Sequence, residues 1–198
     1  MVLLPPTLAS GYRVITEGRG YFWAVLLLAA TLVSHLLYGY MAFLTLGALS
    51  LLQFSRPLTT RSVAEALWRR WRRLIILFLL VVGVTSYFLV PFFLEQAYLN
   101  ISVWEDPARY DSYGYRPVLR GLAQGNLFDF GRFPSLTILV TAGFATCLLK
   151  WREERYRIPL SIFLLWLVLF FGRETWGGLI DLLPLSQNIF MHCYIHSF

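Results

Sequence analysis

Residues 21–55 read YFWAVLLLAATLVSHLLYGYMAFLTLGALSLLQFS, thirty-five positions without a single Asp, Glu, Lys or Arg. Uncharged, mostly apolar runs of about 20 residues match a hydrocarbon slab roughly 30 Å thick. As one helix this stretch would extend about 52 Å, too long for one ordinary crossing and short for two. Ser34, His35, Tyr38, Gly39 and Tyr40 interrupt its middle. The pattern therefore predicts two short helices, 21–36 and 40–55, meeting in a tight turn near His35 to Tyr40. One long tilted helix is the competing reading.

Three further runs lack charge: Leu74 to Leu94, Phe133 to Leu149 and Ile158 to Gly172. Hydrophobic residues make up 58% of the chain and charged residues 14%, against a charged share near 25% in soluble domains. A soluble core could not hide this much apolar surface in 198 residues. The expectation is an all-α integral membrane protein of about five transmembrane helices, one membrane domain over 1–198, with a long extracytoplasmic loop at 95–134.

The net charge of +6 does not point to nucleic acid, because the positive residues cluster at the ends of the apolar runs. Loop 56–73 holds six Arg against one Glu, and loop 150–157 four basic residues against two Glu. Loop 95–132 holds four Arg against five acids. The first two are expected in the cytoplasm and the third outside. Five crossings then put the N-terminus, with Arg13 and Arg19, inside and the tail outside. Met1 to Gly20 carries Pro5, Pro6, Arg13, Glu17 and Arg19 and has no apolar signal-peptide core, so the chain is expected to insert by its own helices or to begin partway through a longer parent. Cys147 reads as a small hydrophobe, and two cysteines make no disulfide framework.

Ser62-Val63-Ala64-Glu65 has the capping-box form. Beyond it Leu67, Trp71 and Leu74 share one helical face, while Arg69, Arg70, Arg72 and Arg73 take the rest. This predicts a basic interfacial helix leading into a crossing helix. Each of these arginines beside anionic headgroups contributes about 1 kcal/mol. Pro91, near the end of the crossing, is expected to kink it.

The polar groups that could carry chemistry fall on the outer side. His35, within an apolar stretch, is costly if charged and sits at a helix end. Residues 104–117 read WEDPARYDSYGYRP, alternating carboxylates, arginines and tyrosines. Acids can orient sugar hydroxyls or hold a divalent cation, and arginines can clamp phosphate. A solvated loop with internal salt bridges is the plainer reading. Asp129 and Arg132 are spaced to pair across one helical turn. The Asp129-Phe130-Gly131 coincidence with a kinase tripeptide has none of the accompanying kinase motifs. His192 and His196, with Cys193 beside them, lack a third metal ligand. Asn100-Ile101-Ser102 matches a glycosylation acceptor. There is no P-loop, dinucleotide fingerprint or nucleophile elbow.

Glu17-Gly18-Arg19-Gly20, Ser34 to Tyr40, Asp111 to Gly114, Gly125 to Asp129, Arg132-Phe-Pro134 and Asn188 to His192 together resemble large bacterial and archaeal polytopic proteins called 6-pyruvoyl-tetrahydropterin synthase-related. Those proteins are in turn similar to GT-C superfamily glycosyltransferases. The resemblance implies sugar transfer from a polyprenyl-phosphate donor on the outer face of a bacterial or archaeal cytoplasmic membrane. It implies that Arg116 and Arg132 contact phosphate, that Glu105, Asp106 and Asp111 hold sugar hydroxyls or a divalent cation, and that His35 lines the floor, with Asp129 among the binding residues. The catalytic acid of GT-C enzymes lies in a first outer loop that has no counterpart here, and neither Glu105 nor Asp106 inherits it. The chain is then a fragment or a shortened relative. The alternative is a non-catalytic accessory subunit of a larger membrane complex. A transporter is weaker, since only His35 is a polar group within a crossing.

Overall fold

A computed structural model describes residues 2–52, 60–95, 98, 111–129 and 132–183. Every element among them is helical, and no strand is present among the described residues. The chain divides into two compact units, Met1–Ile101 and Ser102–Phe198.

The first unit holds α1 (Leu4–Glu17), α2 (Tyr21–Ser34), α3 (Leu36–Leu51) and α4 (Thr60–Leu94). The expected pair of short helices is present, but the break falls at His35 alone, with extended backbone (φ −162°, ψ 108°), and Leu36 to Tyr40, expected in the turn, belong to α3. Gly39 lies directly against Leu32, seven residues back. A straight helix would hold such a pair about 10 Å apart along its axis. All six pairings among the four helices are made, and Val14, Leu28, Leu46, Leu77 and Val81 meet in the shared core.

Small and hydroxyl residues set the approach of these helices, as is usual for helices that associate in lipid. Gly11 of α1 faces Leu46 of α3, where a Cβ would come within 2.6 Å of a leucine methyl. The fully buried Thr7 of α1 shares a 2.9 Å hydrogen bond with Thr31 of α2, and each hydroxyl also reaches a carbonyl.

Helix α4 begins by Thr60, so Ser62 lies inside the helix and does not take the N-cap position that its capping-box sequence suggested. The basic segment and the apolar segment form one continuous helix, and it runs through Pro91 to Leu94. Over its apolar part only Leu74, Leu77, Val81 and Thr85 are buried, a single stripe. The other faces are apolar yet exposed: Leu79 is 61% and Val84 56% accessible. A water-soluble amphipathic helix puts polar residues there.

The second unit contains α5 (Tyr115–Ala123), α6 (Asn126–Asp129), α7 (Ser135–Leu149), α8 (Glu154–Phe170), α9 (Gly172–Trp176) and a 3-10 segment at Gly177–Leu182. The segment expected as a loop over 95–134 therefore carries two short helices in its described part. Helix α7 packs on α8, and α7 buries none of its own residues although it is uncharged and mostly apolar. At Phe171 the chain bends by 82° between α8 and the segment that follows.

Of the expected crossings, α4 is the one continuous helix among the described residues that is long and apolar enough to span a bilayer. Helices α2, α3 and α7 have 14, 16 and 15 residues, below the usual lower limit of about 17. Helix α8 reaches that test only together with the segment beyond its bend.

Candidate functional site

The break between α8 and α9 is where polar chemistry gathers. Ending a helix in apolar surroundings strands its last carbonyls, and each must find a donor. Three side chains supply them. The Ser112 hydroxyl donates to Phe170 O at 2.6 Å, the Trp176 indole Nε1 to Val168 O at 2.8 Å, and the Thr175 hydroxyl to Phe171 O at 3.2 Å. Thr175 Oγ1 also accepts from the Tyr115 backbone N–H at 2.9 Å. That N–H is one of the unpaired donors in the first turn of α5, so a single hydroxyl serves the end of α8 and the start of α5.

Bringing segment 111–115 onto the break requires a close backbone approach. Gly172 adopts φ +66°, and a Cβ there would overlap Asp111 O. Ser112 is itself left-handed at φ 67° and only 4% accessible, a conformation that costs a non-glycine residue about 1–2 kcal/mol. The hydrogen bond to Phe170 and the burial hold it in place.

On this frame sits a cluster of charged and phenolic groups. Arg173 Nη1 lies 3.8 Å from Asp111 Oδ1. The Glu174 carboxylate lies over Gly114, the N-cap of α5, where the helix dipole favours an anion. Tyr115 packs edge-on against Phe171, and its hydroxyl accepts a 3.0 Å hydrogen bond from Arg116 Nε. That bond raises the guanidinium pKa above its ordinary value. Arg116, Tyr113 and Glu174 are exposed and Asp111 half-exposed. The cluster can meet an anion through Arg116 and hydroxyl groups through the carboxylates.

Asp129 has a different job. It is 6% accessible, and its carboxylate accepts from the Leu136 N–H at 3.0 Å, the Thr137 N–H at 2.9 Å and the Thr137 hydroxyl at 2.7 Å. It caps the N-terminus of α7. Burial pushes its pKa up, but the Thr137, Leu136 and Ser135 hydrogen bonds to the ionised form prevail and leave it below the ordinary value. The expected pairing with Arg132 is replaced: the Arg132 N–H bonds to the Asp129 carbonyl, while the carboxylate serves α7 and the Arg132 side chain is exposed.

Arg116 and Arg132 thus stand at the two ends of the α5–α6 segment. His35 belongs to the first unit, where its ring lies 4.5 Å from Tyr38 and borders an apolar pocket with Leu3, Thr31 and Ser34. Glu105, Asp106, Asn100, His192, Cys193 and His196 lie outside the described residues. Among the described residues no group of three His, Cys, Asp or Glu side chains is placed to hold a metal ion.

Two of the four arginines expected at anionic headgroups bond to helix ends. Arg70 donates to Leu52 O at the end of α3, and Arg73 to Ile15 O and Thr16 O at the end of α1. Cations there complement the negative helix ends. Arg69 and Arg72 are exposed.

Arg173, Glu174 and Thr175, just beyond the apolar run that ends at Gly172, were not among the residues expected to form a site. The available signal was Gly172 directly after fourteen uncharged residues, followed by Arg-Glu and, two residues later, by Trp-Gly-Gly. Comparison of the chain with protein-family models, with curated proteins and with solved structures finds no match.

Proposed function

We propose that the chain is a polytopic membrane protein forming part of a GT-C-like glycosyltransferase, which takes a polyprenyl-phosphate-linked sugar at the extracytoplasmic face. Its five crossings are α2, α3, the apolar part of α4, α7 and α8, with loops 56–73 and 150–157 in the cytoplasm. The short helices α2, α3 and α7 are accommodated by local thinning of the bilayer and by flanking arginines.

The observation that carries this reading is the helix break at Phe171–Gly172 with Asp111, Arg116, Arg173 and Glu174 around it. Broken helices at the ends of apolar segments are where membrane proteins concentrate ligand-binding backbone and charge. In this site Arg116 meets the donor phosphate, and Asp111 and Glu174 orient sugar hydroxyls. A charge-assisted hydrogen bond to phosphate contributes about 1.5–3 kcal/mol. Arg116→Ala should therefore weaken binding of a polyprenyl-phosphate sugar to the chain in nanodiscs by roughly 10- to 100-fold. Unchanged affinity would overturn the assignment.

A non-catalytic accessory subunit is the second reading. The apolar helix α7, which buries none of its residues, favours it, since a partner helix would cover that surface as well as lipid does. Purification in mild detergent separates the two. A stoichiometric protein partner supports the subunit, and a lone chain that binds the lipid-linked sugar supports the transferase.

A further inference from the structure

Helices α7 and α8 enclose an apolar groove of about 380 Å³, lined by Val140, Gly143, Phe144 and Cys147 on one wall and by Pro159 and Phe163 on the other. Phe144 and Phe163 meet across it with ring centroids 5.9 Å apart. One end of the groove faces the α7–α8 turn, and there its character changes. Lys150, the C-cap of α7, and Tyr156, in the first turn of α8, each stand three residues beyond a lining residue, Cys147 and Pro159. Lys150 Nζ donates to the Tyr156 hydroxyl at 3.4 Å and stands 5.2 Å from the ring centre. Arg155 Cζ stands 4.9 Å from the centre of the same ring, while its Nε pairs with Glu153 at 2.8 Å. No ion pair among the described residues neutralises Lys150, and Lys150 and Arg155 are both exposed.

We infer that this groove binds one acyl chain of an anionic phospholipid, with the headgroup phosphate held at the Lys150–Tyr156–Arg155 mouth. The groove walls are almost wholly apolar. The mouth offers an ammonium, a guanidinium and a phenol within one turn of the apolar walls. Phosphate above hydrocarbon is the ligand chemistry that matches this order. The site rests on the membrane reading of the chain and is independent of sugar transfer.

The test uses the full chain purified in mild detergent, with phosphatidylglycerol or phosphatidylcholine added and retained lipid counted by native mass spectrometry. One phosphatidylglycerol should be retained at least fivefold more than phosphatidylcholine. Lys150→Ala with Arg155→Ala should remove that preference. Gly143→Leu should remove binding of both lipids, because a Cβ at Gly143 meets nothing within 4 Å and the leucine fills the groove without displacing backbone. Equal retention of the two lipids by the unsubstituted chain would overturn the headgroup assignment, and full retention by Gly143→Leu would overturn the groove. Should a variant misfold, alkylation of Cys147 in a Cys193→Ser background decides. Phosphatidylglycerol should slow it severalfold relative to phosphatidylcholine, and equal rates refute the site.

Discussion

Gly18 ends α1 at φ +75°, and the guanidinium of Arg73 lies only 2.9 Å from where its Cβ would be. Gly18→Ala therefore meets two costs at once: the left-handed backbone, about 1–2 kcal/mol, and displacement of Arg73 from Ile15 O and Thr16 O. Thermal unfolding in detergent should show a loss of roughly 1–3 kcal/mol, while Gly20→Ala, where no neighbour approaches, should lose only the backbone part. Thr7→Val removes the shared hydrogen bond with Thr31 and should cost about 0.6 kcal/mol, the average for such bonds between helices in membranes. Asp129 titrates below an unfolded value of about 3.9, so its contribution is complete above that pH and is lost as pH falls through the folded value. Asp129→Asn should flatten the acid limb of the stability profile below about pH 4, and an unchanged limb would refute its capping role. The sequence marked Asp129 as a partner for Arg132. It could not show that amides seven and eight residues onward occupy both carboxylate oxygens.

Helix ends carry most of the specific chemistry of this chain. The hairpin at His35 was legible because Ser, His, Tyr and Gly break an otherwise continuous apolar pattern. The helical character of the basic and the apolar segment was legible from the stripe of Leu67, Trp71 and Leu74, but the first was expected as a separate interfacial helix, and one continuous helix runs through both. The bend at Phe171 was not, since its stability depends on Ser112, far away in sequence, supplying a donor to Phe170 O. Gly172→Ala would force a Cβ into the Asp111 carbonyl and should reduce stability by at least about 2 kcal/mol. Ser112→Ala should cost about 1–3 kcal/mol through the buried carbonyl left unpaired. If both variants melt like the parent in detergent, segment 111–115 does not dock on the break.

For the whole molecule, the membrane reading makes a sidedness claim that single positions can check. In a chain whose two cysteines are replaced by serine, an impermeant thiol reagent on intact cells should label Tyr113→Cys, at an exposed position, and spare Arg72→Cys. The reverse pattern would overturn the topology and with it the extracytoplasmic site. Ser112, though adjacent, is too buried to report. The sequence by itself determined the all-helical class and the apolar character of the helix surfaces, because both follow from local composition and period. It also placed a break between His35 and Tyr40, which the structure narrows to His35. Only the tertiary structure decided which polar residues are consumed in holding helix ends, as Asp129, Arg70 and Arg73 are, and which stay open to a ligand, as Arg116 and Lys150 do. Hydrogen-bond satisfaction joins residues distant along the chain, and no local pattern encodes which partner each of them will meet.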